Sequence, residues 1–293
     1  MQKITPFLWF DGKAEDAMNF YVSLFKNSKT GRVTRCGDAG PGPKGSVLTA
    51  TFQLEGQDFT ALNGGPMFKI TPAISFFVNC ATQDEIGALW ERLSAGGAVL
   101  MPLDTYPFSQ QFGWVQDRFG VSWQVNLAPR PQKITPFLMF VGKQHGKAEA
   151  AIDHYVSVFR NSKMIEIKRY GKGEAGPEGT VQHATFSLAG QEFMAIDADG
   201  PHPFTFTEAV SLFVNCETQA EVDELWEKLS AGGEKSRCGW LKDKFGVSWQ
   251  IIPTILGELM GDKDPVKAKN VMQAMLQMDK LDIQRLKQAH AQQ

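Results

Sequence analysis

The chain carries no excess of either charge. Its 293 residues hold 30 Lys+Arg against 32 Asp+Glu, a formal net charge of −2. A protein whose main partner is nucleic acid neutralises phosphates with a basic excess or a basic stripe, and neither is present. No apolar run approaches the roughly 20 residues of a membrane helix, and the opening residues lack the apolar stretch of a secretory signal. A cytoplasmic protein with no nucleic-acid or membrane partner is therefore expected. Cysteine is scarce: Cys36, Cys80, Cys216 and Cys238 lie far apart. None sits in a Cys-x-x-Cys pair, so zinc held by thiolates is not indicated, and the four read as reduced, mostly buried residues. No Gly-x-Ser-x-Gly, phosphate loop or Cys–His arrangement occurs. What is there is 43% hydrophobic and 21% charged. That is too apolar for a disordered chain and enough for two ordinary domains, each with its own core.

The sequence repeats itself. Lys3-Ile4-Thr5-Pro6-Phe7-Leu8 returns as Lys133-Ile134-Thr135-Pro136-Phe137-Leu138, and Phe77-Val78-Asn79-Cys80 as Phe213-Val214-Asn215-Cys216. Phe119-Gly120-Val121-Ser122-Trp123-Gln124 returns at 245–250. The spacing drifts: the second copy gains residues around 143–146, and the first carries extra residues between 97 and 114. Ala128-Pro129-Arg130-Pro131 joins the copies, its prolines favouring an extended connection. A repeat this long is a whole domain rather than a solenoid unit. The chain divides into 1–130, 131–252 and a tail, 253–293.

Within the first repeat, residues 4–10 alternate as a strand does. Residues 14–25 set Ala17, Phe20, Tyr21 and Leu24 at helical spacing, with Asp11 or Gly12 as the expected cap. Strands follow at 30–36, 46–54 and 58–63, with a Gly/Pro loop at 39–45 and a tight turn at Gly56-Gln57. The pattern then restarts. A strand at 73–79 leads to a helix at 82–96, with Thr82 as N-cap, Glu85 completing a capping box and Gly96 ending it. Strands near 99–103, 113–116 and 121–126 complete the unit. Each repeat is thus β-α-β-β-β twice over. Such a sheet buries one face on its helices and curls the other into a cup. In the tail, Asp264-Pro265 opens a helix over 266–278, carrying Val271, Met272, Met275 and Met278 along one side. A second helix covers 281–291, and the amphipathic pair must dock on something.

This order of elements resembles a known family. So do Ile4-Thr5-Pro6-Phe7-Leu8, Asn19-Phe20-Tyr21, Asn27-Ser28-Lys29, Leu62-Asn63-Gly64-Gly65-Pro66, Phe76-Phe77-Val78-Asn79-Cys80 and Asp117-Arg118-Phe119-Gly120-Val121-Ser122-Trp123-Gln124. The family is the PhnB-like one, which carries the name 3-demethylubiquinone-9 3-methyltransferase. It belongs to the vicinal oxygen chelate (glyoxalase/bleomycin-resistance) superfamily. The resemblance covers both repeats. It implies an α+β, glyoxalase-like fold: paired βαβββ modules forming cupped mixed sheets, in two tandem copies ahead of the helical tail. Enzymes of the superfamily usually hold a divalent metal in the cup with His and Glu, and members that only bind ligands lose it. The resemblance also suggests dimers of single repeats. Two fused copies would then make an intrachain pseudo-dimer with an internal two-fold, clasped by the tail; a homodimer of the whole chain is the other assembly.

Strand parity and comparison with the superfamily put the metal positions near Thr5, Asn63, Ser75 and Gln124 in the first repeat. In the second they fall near Thr135, Asp197, Ser211 and Gln250. The first set offers only neutral oxygens and amides, unlike the imidazoles, thiolates and carboxylates of transition-metal sites. In the second, Asp197 stands for Asn63 and His183 for Thr49, with Asp199 and His202 in the next loop. Two readings stay open there: a reduced metal site of His183, Asp197 and His202, or a hydrogen-bonded strand histidine beside a turn aspartate. Phe7, Trp9, Trp114 and Trp240 would wall a small-molecule pocket. Asn63, Ser75, Gln124, Asp197, Ser211 and Gln250 would orient its contents. The expected function is metal-independent binding of a small molecule of unknown identity, with no cofactor. The alternatives are an enzyme of lyase, isomerase or dioxygenase type with a reduced site in the second repeat, and a structural protein with filled cups. Methyl transfer is the weaker reading, because Asn63-Gly64-Gly65-Pro66 links two strands and not a strand to a helix. Asp117 and Asp243 read as turn residues, and the insertion at 103–112 as a lid or a plug.

Overall fold

A computed structural model describes residues 2–37, 42–130 and 132–292; part of the Gly/Pro loop and the Pro131 end of the linker lie outside them. The first module runs β1 (Ile4–Phe10), α1 (Ala14–Leu24), β2 (Ser28–Arg35), β3 (Val47–Leu54) and β4 (Gln57–Asn63). The second runs β5 (Ile74–Cys80), α2 (Gln83–Ser94), β6 (Ala98–Tyr106), β7 (Ser109–Gln116) and β8 (Ser122–Leu127). In the second repeat the third module is β9 (Ile134–Phe140), α3 (Ala148–Val158), β10 (Lys163–Arg169), β11 (Val181–Leu188) and β12 (Gln191–Asp197). The fourth is β13 (Val210–Cys216), α4 (Gln219–Ser230), β14 (Glu234–Lys235), β15 (Trp240–Lys242) and β16 (Ser248–Pro253).

The modules do not pair within their own repeat. One eight-stranded sheet has the order β14-β15-β16-β13-β1-β4-β3-β2, and the other β10-β11-β12-β9-β5-β8-β7-β6. The seams are antiparallel: β1 lies on β13, with Pro6 opposite Leu212, and β5 lies on β9, with Phe76 opposite Pro136. Each sheet therefore joins the first module of one repeat to the second module of the other. The two crossovers that make this exchange hold each other. Thr71 Oγ1 donates to the Thr205 carbonyl (2.7 Å), and Thr207 Oγ1 to the Lys69 carbonyl (2.8 Å).

The inner faces of both sheets share one hydrophobic core. Phe59 on β4 meets Phe76 on β5 edge to face at 5.3 Å, and Tyr21 on α1 lies 5.3 Å from Trp123 on β8. With the helical faces turned towards each other, the cups open on opposite sides. Burial of the apolar faces supplies the main driving force, at about 25 cal/mol per Å².

A buried carboxylate crosses this core in each repeat. Asp117 Oδ1 accepts from the amides of Phe119 (2.8 Å) and Val121 (3.1 Å), and Oδ2 accepts from Tyr21 Oη and Trp123 Nε1 (both 2.8 Å). Asp243 repeats the pattern with Phe245, Val247, Tyr155 and Trp249. The Asp-x-Phe-Gly turn is thus more than a hairpin. It ties the two modules of one repeat, which sit in different sheets. Burial raises the Asp117 and Tyr21 pKa values, as it does for Asp243 and Tyr155.

The expected cysteine chemistry holds: all four are free thiols, and burial pushes Cys80 and Cys216 up to about 12. Thr82 caps α2 by accepting the Glu85 amide at 3.2 Å. The tail has three helices among the described residues, not the expected two: α5 (Ile255–Met260), α6 (Pro265–Leu276) and α7 (Ile283–Ala291). Asp264 caps α6 through the Val266 amide (2.9 Å). The first helix follows directly on β16, separated from Pro253 by Thr254 alone. Val271, Met278, Leu281 and Leu286 form a second apolar cluster with Ile252 and Leu256. No helix among the described residues is long and apolar enough to cross a membrane.

Candidate functional site: two cups shared between repeats

Alternation along β1 sends Ile4, Leu8 and Phe10 into the core and Thr5, Phe7 and Trp9 to the concave face. Register then fixes their neighbours. Thr5 lies beside Phe213, Phe7 between Ser211 and Thr60, and Trp9 beside Leu62; Gln250 flanks Phe213 on its far side, and Trp240 flanks Gln250. This cup, A, draws Thr5, Phe7 and Trp9 from the first repeat and Ser211, Trp240 and Gln250 from the second. In cup B, Ser75, Trp114 and Gln124 of the first repeat face Thr135, Phe137 and His183 of the second. The grouping of site positions repeat by repeat is corrected accordingly. Sequence adjacency shows which residues share a strand, but module exchange decides which strands share a sheet.

Asn63 and Asp197 are not in the cups. Both share the parity of inward residues: Phe59 and Ala61 on β4, Phe193 and Ala195 on β12. Asn63 Oδ1 accepts the Ala14 amide (2.9 Å) at the start of α1, and its Nδ2 donates to the Val47 carbonyl (3.0 Å). Asn63 therefore does the work expected of Asp11 or Gly12. Asp197 accepts from the amides of Gly146, Ala148 and Val181 at 2.8, 3.1 and 2.9 Å, capping α3 where anionic charge is favourable. The cup-facing residues of these strands are Asp58, Thr60 and Leu62 on β4, and Glu192, Met194 and Ile196 on β12. Counting parity back from Phe59 and Ala61 would have found them.

The fallback metal set separates for the same reason. His183 faces cup B beside the Phe137 ring, with centroids 6.4 Å apart. Asp197 lies on the opposite face of the sheet. His202 is in an exposed loop, its Nε2 3.1 Å from the Asp199 carbonyl. Among the described residues no three His, Cys, Asp or Glu side chains converge to hold a metal. The strand positions that face the cups offer Thr5, Asp58, Thr60, Ser211 and Gln250 in A, and Ser75, Gln124, Thr135, His183, Glu192 and Met194 in B. In each cup the amide is used internally: Gln250 Nε2 donates to Ser211 Oγ (2.9 Å), and Gln124 Nε2 to Ser75 Oγ (2.7 Å). One carboxylate in A, and one imidazole and one carboxylate in B with no third such ligand converging on them among the described residues, do not fit a divalent transition metal.

Burial holds the His183 imidazole below its ordinary value of 6.5, while Glu166 pulls the other way. A base depressed in the fold contributes stability that is present above its unfolded value and lost as pH falls through the folded one. A His183→Asn variant is therefore expected to lose less stability than the parent between about pH 7.5 and pH 5. Urea midpoints at the two pH values read this; equal losses would place His183 in water.

The cups are closed differently. In cup A, Phe7 stacks on Phe213 (6.0 Å, 7°) and meets Trp240 edge-on at 5.8 Å, and the tail cluster packs against Phe213. Trp9 sits over Gly64, where a Cβ would come within 2.2 Å of its ring, and its Nε1 donates to the Gly65 carbonyl (2.7 Å). The Gly-Gly turn is thus filled by an indole. Phe7 separates two chambers. One, of about 390 Å³, is lined by Thr5, Thr51, Gln53, Asp58, Thr60 and Phe213 among others. The other, of about 380 Å³, is lined by Trp9, Phe68, Trp240 and the 234–238 segment. In cup B the insertion extends the β6–β7 hairpin. Its Phe112, 4% exposed, packs 6.1 Å from Phe77, and Trp114 Nε1 donates to Ser122 Oγ (2.8 Å).

Paired βαβββ modules in cupped sheets make up a glyoxalase-like fold. Glyoxalase I from Zea mays shares this fold at a TM-score of 0.56, covering 85% of this chain and 90% of that one at 12% identity. The chain belongs to the 3-demethylubiquinone-9 3-methyltransferase (PhnB-like) family, whose model matches residues 2–126 and again 132–252. A putative 3-demethylubiquinone-9 3-methyltransferase, PhnB protein, from Bacillus cereus is 50% identical over 43% of this chain and all of its own, at a TM-score of 0.42. Protein YjdN of Escherichia coli is 25% identical over 138 residues, 42% of this chain and 94% of its own.

Proposed function

We propose that this protein binds a small molecule in cup A without a metal. The observation that carries the reading is the chamber of about 390 Å³, within the range of about 300–1,000 Å³ typical of ligand pockets. Its hydroxyls, amides and one carboxylate stand beside an aromatic wall. The donor set of both cups supports metal independence. The indole packed over Gly64 speaks against a nucleotide-like cofactor at that turn, and hence against the methyl transfer that the family name suggests. In cup B the packed Phe77, Phe112 and Phe137 rings favour a structural role.

Protein stripped with chelator, incubated with Zn²⁺, Ni²⁺ or Mn²⁺ and desalted is expected to retain well below one metal per chain by elemental analysis. Stoichiometric metal that is lost in His183→Asn would favour the enzyme reading instead. Thermal-shift hits from a metabolite library are expected to disappear in Thr60→Met.

A further inference from the structure

The chamber of cup A lined by Thr5 and Phe213 has a chemistry of its own. Thr5 lines the chamber, and its hydroxyl has no hydrogen-bond partner among the described residues. Open to the chamber, that hydroxyl is able to donate to or accept from a molecule bound there. Thr60, on the neighbouring strand, presents a second unpartnered hydroxyl. Gln53 Nε2 donates to Asp58 Oδ1 (3.0 Å), which leaves Asp58 Oδ2 and Gln53 Oε1 as free acceptors. Asn215 Nδ2 is used on the Gln2 carbonyl (2.8 Å), and its Oδ1 is free. The inventory is therefore the Thr5 and Thr60 hydroxyls, able to donate or accept, and three oxygens that only accept, with Thr30 and the Lys29 ammonium at the chamber's edge. Phe213 supplies a flat apolar wall.

Charge narrows the class. The chamber's lining holds one carboxylate, Asp58, and one ammonium, Lys29. An anion would meet Asp58 and have only one cation; a cation would meet Lys29 and only one carboxylate. Three acceptors facing inwards call for a ligand rich in donors, and the aromatic wall calls for one with an apolar face. We infer that the chamber binds a neutral polyhydroxylated ring, a monosaccharide or cyclic polyol. Its hydroxyls would reach Thr5, Gln53, Asp58, Thr60 and Asn215, and its C–H face would lie on Phe213.

The second repeat gives an internal contrast. On the matching strand pair, Thr51 lies opposite Thr60 in cup A and Thr185 opposite Met194 in cup B; Gln53 is matched by Ser187. Cup B keeps the frame without the hydroxyl or the amide acceptor, and Thr185 Oγ1 is left buried and unpaired there. This set of polar side chains is thus a property of one cup and not of the fold.

The inference rests on the proposal that cup A is a binding compartment, and the test separates the two. The full chain is examined by saturation-transfer NMR with myo-inositol, D-glucose and D-galactose, with benzoate and benzylamine as charged comparisons. At least one polyol is expected to saturate. Its affinity should fall about tenfold or more in Thr60→Met and in Asp58→Ala and stay unchanged in His183→Asn. Thr60→Met places at β4 the side chain that β12 already carries, and Thr5→Val is the second variant should it fail to fold. Silence of all polyols while a charged compound binds in a Thr60-dependent way would overturn the ligand class and leave the binding compartment standing. Silence of every probe, with no Thr60-dependent library hit, would overturn both. A polyol signal indifferent to Thr60→Met and Thr5→Val would overturn the site.

Discussion

A chain cleaved between its repeats is expected to remain one particle. With a protease site placed at 128–132, the two fragments should co-elute at the size of the intact 32.5 kDa chain and part only in denaturant. The reason is the exchange of modules. Each sheet closes through a seam between repeats, β1 on β13 and β5 on β9. Lys3 of one repeat pairs with Glu221 of the other, and Lys133 with Glu85. The linker adds effective concentration but none of these contacts. A first repeat made alone would expose two unpaired seam strands, β1 and β5. It is expected to self-associate or aggregate instead of running as a compact monomer. Fragments that separate under native conditions, each folded and monomeric, would contradict the sheet order. Gel filtration with light scattering distinguishes these outcomes.

Replacing Asp117 with Ala is expected to destabilise the protein by about 3–5 kcal/mol. The carboxylate accepts four hydrogen bonds and is 4% exposed. Its removal leaves two backbone amides, a phenol and an indole facing a cavity. That is a large part of the 5–15 kcal/mol typical of folded domains. Asp117→Asn should also destabilise, because the amide nitrogen it introduces would confront either the Trp123 indole N–H or the two backbone N–H groups. Urea unfolding of Asp117→Ala and Asp243→Ala should show similar losses, since both repeats use the same four partners. Loss of less than about 1 kcal/mol in either would mean that the turn alone, and not the tie between sheets, explains the residue.

Cup A also shows why the site was only half legible. Strand parity correctly put Thr5, Phe7, Trp9, Ser211 and Gln250 on a concave face, because period-two alternation is a local property. It failed at Asn63 and Asp197. There the polar residue does lie on the buried face, where it meets a helix N-terminus, and polarity alone mimicked a cup residue. The tail was legible as amphipathic helices in need of a partner, but not as the cover of Phe213.

The amino-acid sequence by itself determined the duplication, the βαβββ order of each module and the capping of α2 at Thr82. These follow from residue type and short-range periodicity, which act within a few turns or strands. Only the tertiary structure decided that modules pair across repeats, that Asp117 and Asp243 bind the two sheets together, and that the insertion and the tail close different cups. Those outcomes depend on contacts between residues far apart in the chain, where several pairings satisfy the same local pattern and packing selects one of them.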